Sequence, residues 1–148
     1  MSNEPHYTVD RSLQLRNDMQ ELMRLNEELE AIGAELDWSP RAVLDLSLAC
    51  EELVVNIVNY GYPVGSEGFI EVGLRASKDE VEITLADRGN PFDPFKDPDP
   101  LDLLEMDVDD RPIGGLGIFF VKRLMDEVHY EFADGMNQVR LRKRWSKQ

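Results

Sequence analysis

Two pairs of period-two segments limit this chain more than anything else in it. "FIEVGLRAS" and "EVEITLAD" alternate apolar and polar residues and are joined by a polar Ser77-Lys78-Asp79 turn. Near the C-terminus "VHYEF" and "QVRLRKRW" bracket "ADGMN", where Asp134-Gly135 is a strong hairpin signal. Strands joined this tightly pair antiparallel, because a parallel pair needs a crossover of a dozen or more residues. An N-terminal stretch, "HYTVDRSLQLR", also alternates and reads as an edge strand with Tyr7, Val9, Leu13 and Leu15 facing inward.

Helices fill the remainder. Met19, Leu22, Met23, Leu29, Ile32 and Leu36 recur at helical spacing behind Asn17 or Asp18 as cap. A second helix opens with Ser39 as N-cap and Pro40 at its first position, and is expected to run to about Asn59 before Gly61 and Pro63 stop it. A third opens straight after glycines in "GGLGIFFVKRLMDEV". Three helices among five strands are too few for a doubly wound parallel sheet. The expected fold is α+β, a two-layer sandwich with a mostly antiparallel mixed sheet and helices on one face. The 148 residues fit one domain spanning 1–148.

Composition narrows the function. A formal charge of −14, from 16 basic and 30 acidic side chains, argues against nucleic acid and anionic membrane as partners, since both call for a positive surface. It suits either solubility or a basic protein partner. Arg140, Arg142 and Arg144 alternate along one strand and read as a solvated sheet face. Cys50, the single cysteine, lies in the apolar pattern of the second helix and reads as a buried structural thiol. No apolar run reaches ~18 residues and no signal segment opens the chain, so a cytoplasmic location is expected.

Three stretches carry chemistry. Glu52 and Asn56 lie one turn apart on the second helix, ~6 Å along its axis, beside the apolar Leu53, Val54, Ile57 and Val58. In "ADRGNPFDP" a strand ends in Asp87 and turns at once through Gly89. In "IGGLGIFF", Gly114, Gly115 and Gly117 open a helix, where glycines let a backbone approach phosphate and exposed N–H groups favour negative charge. Each alone is weak: the glycines form a turn as readily, and strand-end aspartates are common turn formers. Their combination and order are specific.

In these three stretches the chain resembles the GHKL (Bergerat-fold) ATPases, and within them most closely the small anti-sigma-factor serine/threonine kinases. The resemblance covers nearly the whole chain. It implies that Asp87 accepts a hydrogen bond from the adenine amino group, that Gly89 lets the purine lie close, and that Asn56 coordinates Mg²⁺. Glu52 would be the general base toward a serine or threonine hydroxyl. Gly115, Leu116 and Gly117 would wrap the phosphates of ATP with backbone N–H groups, and residues from about 94 to 113 would form a mobile lid. The implied protein is a kinase that binds a sigma factor and phosphorylates an anti-sigma factor antagonist of the STAS type; members are often homodimers. The physical sense is clear: phosphoryl transfer needs the metal held, the phosphates cradled and the hydroxyl oriented. An amide oxygen is a hard neutral ligand for Mg²⁺, and a carboxylate one turn away can reach the nucleophile. Glu51 points about 100° away around the helix and is expected to face water.

Two departures stand out. Asn59 and Tyr60 occupy positions where the family often has Lys or Arg and His, which removes a positive charge near the γ-phosphate; Arg111 in the lid is the candidate substitute. Pro91 replaces the second glycine of the Asp87 box. Alternatives divide by chemistry. A binding-only module would hold ATP as a structural or allosteric ligand. An ATPase subunit would call for a transducer domain after the last strand, and a sensor histidine kinase for a helical hairpin and phosphoacceptor histidine, for which neither His6 nor His129 has the flanks. The acidic run after Asp93 fails as a calcium loop, since Leu101 and Asp102 stand where a ligand and a glycine are needed.

Overall fold

The computed structural model describes residues 7–62, 68–96 and 115–145, with the backbone alone at Gly115 and Leu116. Five strands form one sheet: β1 (Val9–Arg16), β2 (Phe69–Ala76), β3 (Glu80–Asp87), β4 (Glu127–Ala133) and β5 (Met136–Arg144). Their order is β1-β2-β3-β5-β4 and every neighbouring pair is antiparallel. The α+β expectation holds, with the refinement that no parallel pair occurs among the described strands. The helices are α1 (Leu22–Leu36), α2 (Pro40–Asn56) and α3 (Gly115–Leu124).

Register explains the two faces. Leu13, Val72, Leu85, Val139 and Tyr130 lie in one cross-strand row, and Leu74, Ile83, Leu141 and Val128 in the next. These apolar rows join one core with Leu25, Leu29 and Ile32 of α1, Leu46, Cys50 and Leu53 of α2, and Ile118 and Val121 of α3. On the other face the row Asp10, Arg75, Glu82, Arg142 and Glu127 alternates in sign. Glu82 pairs with Arg142 at 3.0 Å and Arg75 at 3.4 Å, and Arg144 meets Glu80 at 2.9 Å. The arginine strand is therefore a polar sheet face held by cross-strand pairs, as the overall charge implied. Cys50 is wholly buried and its thiol is pushed up to about 12 by burial, which leaves it inert as a nucleophile.

Local chemistry sets the element ends. Asp18 caps a 3₁₀ turn, Met19–Glu21, through its carboxylate and the Gln20 N–H at 2.9 Å. Because that turn is tighter than an α-helix, Met19 falls off the buried stripe. Met23, one step from buried Leu22, is also exposed, contrary to the apolar spacing. Asp37 adopts the left-handed conformation at φ 60° and ends α1. Trp38 then packs at a tilt against Trp145, ring centres 4.8 Å apart, and donates from its indole to the Ser77 carbonyl at 3.0 Å, tying the α1–α2 corner to the β2–β3 turn. Asp134 and Gly135 both take positive φ, 56° and 76°, as a two-residue hairpin turn demands.

α2 starts as expected, with the Ser39 hydroxyl accepting from the Ala42 N–H at 3.1 Å and Pro40 in the first turn. Its end differs. The α-helix closes at Asn56 and continues as a π turn, Ile57–Gly61, so that Gly61 is buried beside the end of β3. α2 packs against both α1 and α3. Replacing Ser39 by Ala is expected to lower stability by ~1 kcal/mol through the lost cap, with Ser39→Asp near neutral. Urea titration of the three proteins checks this; an unchanged midpoint in S39A refutes it.

Candidate functional site

β3 delivers Asp87 to the end of the apolar face, in the same row as Asn137 of β5. Both are buried, at 3% and 4% exposure, so their polar atoms have to be met inside the protein. The Asn137 amide donates to Asp87 Oδ1 at 3.0 Å, to the Asn90 carbonyl at 2.9 Å and, more weakly, to the Gly89 carbonyl at 3.4 Å. Its oxygen accepts from the Phe92 N–H at 3.0 Å and from the Tyr130 hydroxyl. Asp87 Oδ1 also accepts from the Gly89 N–H at 2.9 Å, closing an Asx turn. Burial pushes the Asp87 carboxyl up, and the bonds from Asn137 and Gly89 work against that shift.

Gly89 is packed against the end of α2. The Asn90 N–H donates to the Gly61 carbonyl at 2.6 Å, and a Cβ added at Gly89 would lie 2.2 Å from that oxygen. Glycine is required here by a backbone contact within the protein, independently of any ligand. Tyr60, on the π turn, stacks on Phe92 with ring centres 5.4 Å apart. Tyr62 accepts from the Arg88 N–H at 2.9 Å and donates to the Phe69 carbonyl at 3.0 Å, fixing the same sheet end.

Asn56 faces this corner. It is 4% exposed, and its Nδ2 has no hydrogen-bond partner among the described residues. An unmet buried amide is costly, and a bound polar group is one way to satisfy it. Asn56, Asp87, Asn90, Phe92, Pro94, Asn137 and Gly61 enclose a cavity of about 20 Å³ with Leu53, Ile57 and Val139. That is room for a water-sized group, not for a purine.

One turn back on α2, Glu52 meets the first turn of α3. A Cβ added at Gly117 would lie 1.7 Å from Glu52 Oε1, so the carboxylate rests directly on that glycine. Burial and then the neighbouring Glu51 charge push the Glu52 carboxyl up. Glu51 is exposed and borders the open cleft between α1 and α2, with Leu44 and Leu48. Glu52 instead borders a separate cleft of about 280 Å³ between α2 and α3, with Phe120, Val121 and Leu124. The two adjacent acids thus serve different faces.

α2 therefore brings Glu52 to Gly117, and Asn56 to Asp87 and the Gly89 turn. Gly115 and Leu116 begin α3 beside this point. Arg111 and Gly114 lie outside the described residues, as does the expected lid beyond the short 3₁₀ turn Pro94–Lys96. Asn59 is exposed and carries no charge. Among the described residues no three acids, histidines or cysteines cluster to hold a metal; Asn56 is the ligand that the resemblance implies. Asn137 escaped the sequence reading: its only signal was a polar residue on the inward side of a strand, and its partner lies 50 residues away.

Comparison with known proteins fits this geometry. A family model described as "Histidine kinase-like ATPase domain" matches residues 15–143. The chain is 32% identical over 113 residues to the serine/threonine-protein kinase BtrW of Bordetella bronchiseptica, covering 76% of this chain and 78% of that one. It is 30% identical over 109 residues to the serine-protein kinase RsbW of Oceanobacillus iheyensis, covering 68% of this chain and 65% of that one. In fold it is similar to the crystal structure of the RsbU and RsbW domains of Rv1364c from Mycobacterium tuberculosis. The TM-score there is 0.65 at 20% identity, over 95% of this chain and 34% of that longer one. The chain belongs to the histidine kinase-like ATPase domain family, on the branch of its serine/threonine-protein kinases.

Proposed function

We propose that this protein binds ATP and Mg²⁺ in the corner between α2, the Asp87 turn and the start of α3, and transfers phosphate to a serine or threonine of a protein substrate. The observation that supports this most is the placement of Glu52 and Asn56. One helix holds a carboxylate against the first turn of α3 and, one turn on, an unmet amide beside Asp87. As the resemblance implies, the protein would bind a sigma factor and its substrate would be an anti-sigma factor antagonist.

Each residue has a role that its surroundings support. Asp87, held through Oδ1, would accept from the adenine amino group. Asn56 would hold Mg²⁺, whose charge, when bound, would neutralise that developing on the phosphates. Backbone N–H groups at Gly115, Leu116 and Gly117 would meet the phosphates, as the first turn of a helix does. Glu52 would accept the proton of the attacking hydroxyl, and its raised pKa brings it nearer the working pH of a general base. The cavity as it stands is smaller than a purine, so a base entering it would displace part of the lining. Arg111 would supply the positive charge that Asn59 lacks.

That neutral Asn59 is also what favours the second reading, a module that binds ATP without transferring phosphate. Labelled phosphate passing from ATP to an antagonist protein that co-purifies decides between the two. Replacing Asp87 by Asn is expected to weaken ATP binding by roughly 1.5–3 kcal/mol, the worth of a hydrogen bond to a charged group. Unchanged affinity by calorimetric titration removes the nucleotide site.

Glu52→Gln is expected to abolish transfer while leaving ATP affinity within a few-fold, and Glu51→Gln to leave both intact. The base acts ionised, so transfer in the unmodified protein should fall as pH drops through the Glu52 pKa, which lies above the usual glutamate value. Initial rates across pH test the point. A profile with no acid limb, or loss of transfer in E51Q alone, assigns the base elsewhere.

A further inference from the structure

We propose that Asn137 is a positioning residue that sets base selectivity in the nucleotide site, by holding Asp87 as a hydrogen-bond acceptor with one oxygen committed inside the protein. This rests on the nucleotide-site reading and adds to it a residue that no motif contains. Both hydrogens of the Asn137 amide are spent, on Asp87 Oδ1 and on the carbonyls of the turn that follows. The hydrogen bonds Asp87 receives from the described residues all end on Oδ1. Its second oxygen is left to a ligand. An ionised carboxylate there accepts from the amino group of adenine and opposes the carbonyl that guanine carries at the same ring position. A protonated Asp87 would lose that discrimination, since its O–H can donate to guanine.

Asn137 is itself locked. Its oxygen takes the Phe92 N–H and the Tyr130 hydroxyl, so turning the amide over would set its NH₂ against the Phe92 N–H and its oxygen against the Asp87 carboxylate and two carbonyls. The side chain therefore presents only donors to Asp87. It also spans Gly89, Asn90 and Phe92, the residues that carry the turn from the strand end to the cavity wall. Among the described residues the charged or titratable groups near this pair include Tyr130 on β4, Asp93 in the turn and Arg88 next to Asp87 in the chain. The other residues enclosing the cavity, from α2, the π turn and β5, are uncharged.

Asn137→Asp separates positioning from mere packing. It keeps the size and the oxygen that Phe92 and Tyr130 use, and replaces the donor by a second acceptor. Two ionised carboxylates would then face each other. A single proton shared between them restores a donor on one side. At about pH 8 the variant should bind ATP roughly 10- to 100-fold more weakly than the unmodified protein, the loss expected for a charge-bearing hydrogen bond. Lowering the pH to about 5.5 should narrow that gap, because protonation of the pair rebuilds the bond. The unmodified protein, titrated in parallel, cancels the nucleotide's own ionisation. N137S, which retains one donor, should bind ATP more tightly than N137A and keep the preference for ATP over GTP.

Calorimetric titration of ATP and GTP into these proteins, with melting curves alongside, provides the test. If N137D is unfolded at the higher pH, the N137S and N137A pair decides by itself. ATP affinity in N137D equal to that of the unmodified protein overturns the assignment of Asn137, as does an equal loss at both pH values, or N137S binding no better than N137A. Failure of the unmodified protein to bind ATP at all overturns the nucleotide site, whereas D87N losing ATP with N137D intact overturns Asn137 alone.

Discussion

The contact between the Gly89 turn and the Gly61 carbonyl is the joint on which the site depends. A backbone N–H, that of Asn90, reaches a backbone oxygen at the end of the α2 π turn at 2.6 Å, and no Cβ fits between them. On one side stands the helix layer with Glu52 and Asn56, on the other the strand end with Asp87. The Tyr60–Phe92 stack and the bond from the Arg88 N–H to the Tyr62 hydroxyl brace the same joint, and a Cβ at Gly89 would have to push it apart. The π turn serves the same end. By widening the last turn of α2 it buries Gly61 next to the Asp87 carboxylate, where a Cβ would stand 3.6 Å from Oδ1.

α2 has two obligations that its sequence meets with different faces. Leu46, Ala49, Cys50 and Leu53 are buried in the core and fix the helix against the sheet. Asn56 follows Leu53 inward, with nothing among the described residues to satisfy its amide nitrogen, and Glu52 lies beside the core against α3. An unsatisfied amide and a carboxylate with a raised pKa both cost stability. A protein tolerates such costs mainly where function needs the groups. Their position one turn apart, at the edge of the apolar core, is what separates them from ordinary surface residues such as Glu51.

Much of this was legible in the residues, and the failures have physical reasons. Period-two alternation and the Asp134-Gly135 turn disclosed the hairpins, because strand periodicity and positive φ leave direct marks on residue choice. Ser39 and Pro40 disclosed the start of α2 for the same reason. Its end at Asn56 was hidden, since the apolar spacing continues into the π turn and does not distinguish a wider turn from a regular one. Met19 misled because a 3₁₀ turn precedes α1 and shifts the phase, and Met23 because it lies one step off the stripe of Leu22, Leu25, Leu29 and Ile32. Asn137 was invisible for a different reason. Its meaning comes from strand register, which sets it opposite Asp87 across the sheet, and no local pattern encodes that.

Charge completes the physical picture. A chain of net charge −14 repels a polyanion at a distance, so whatever binds phosphate here has to do so over short range. The sheet arginines do not help: Arg75, Arg142 and Arg144 are paired with Glu82, Glu127 and Glu80 on the face turned away from the helices. Lys122 of α3 donates to the Phe95 carbonyl at 2.8 Å and braces the Pro94–Lys96 turn. Around the cavity the polar side chains are one carboxylate, Asp87, and three amides, Asn56, Asn90 and Asn137, with no cation in that lining, while Arg41 and Arg123 border the cleft that holds Glu52. On the proposed reading, attraction for the phosphates would fall to the N–H groups at the start of α3, to a bound Mg²⁺ and to cations beyond the cavity lining. A bound Mg²⁺ would then serve binding as well as chemistry, because it would offset the repulsion between the two acids, Glu52 and Asp87, and a triphosphate.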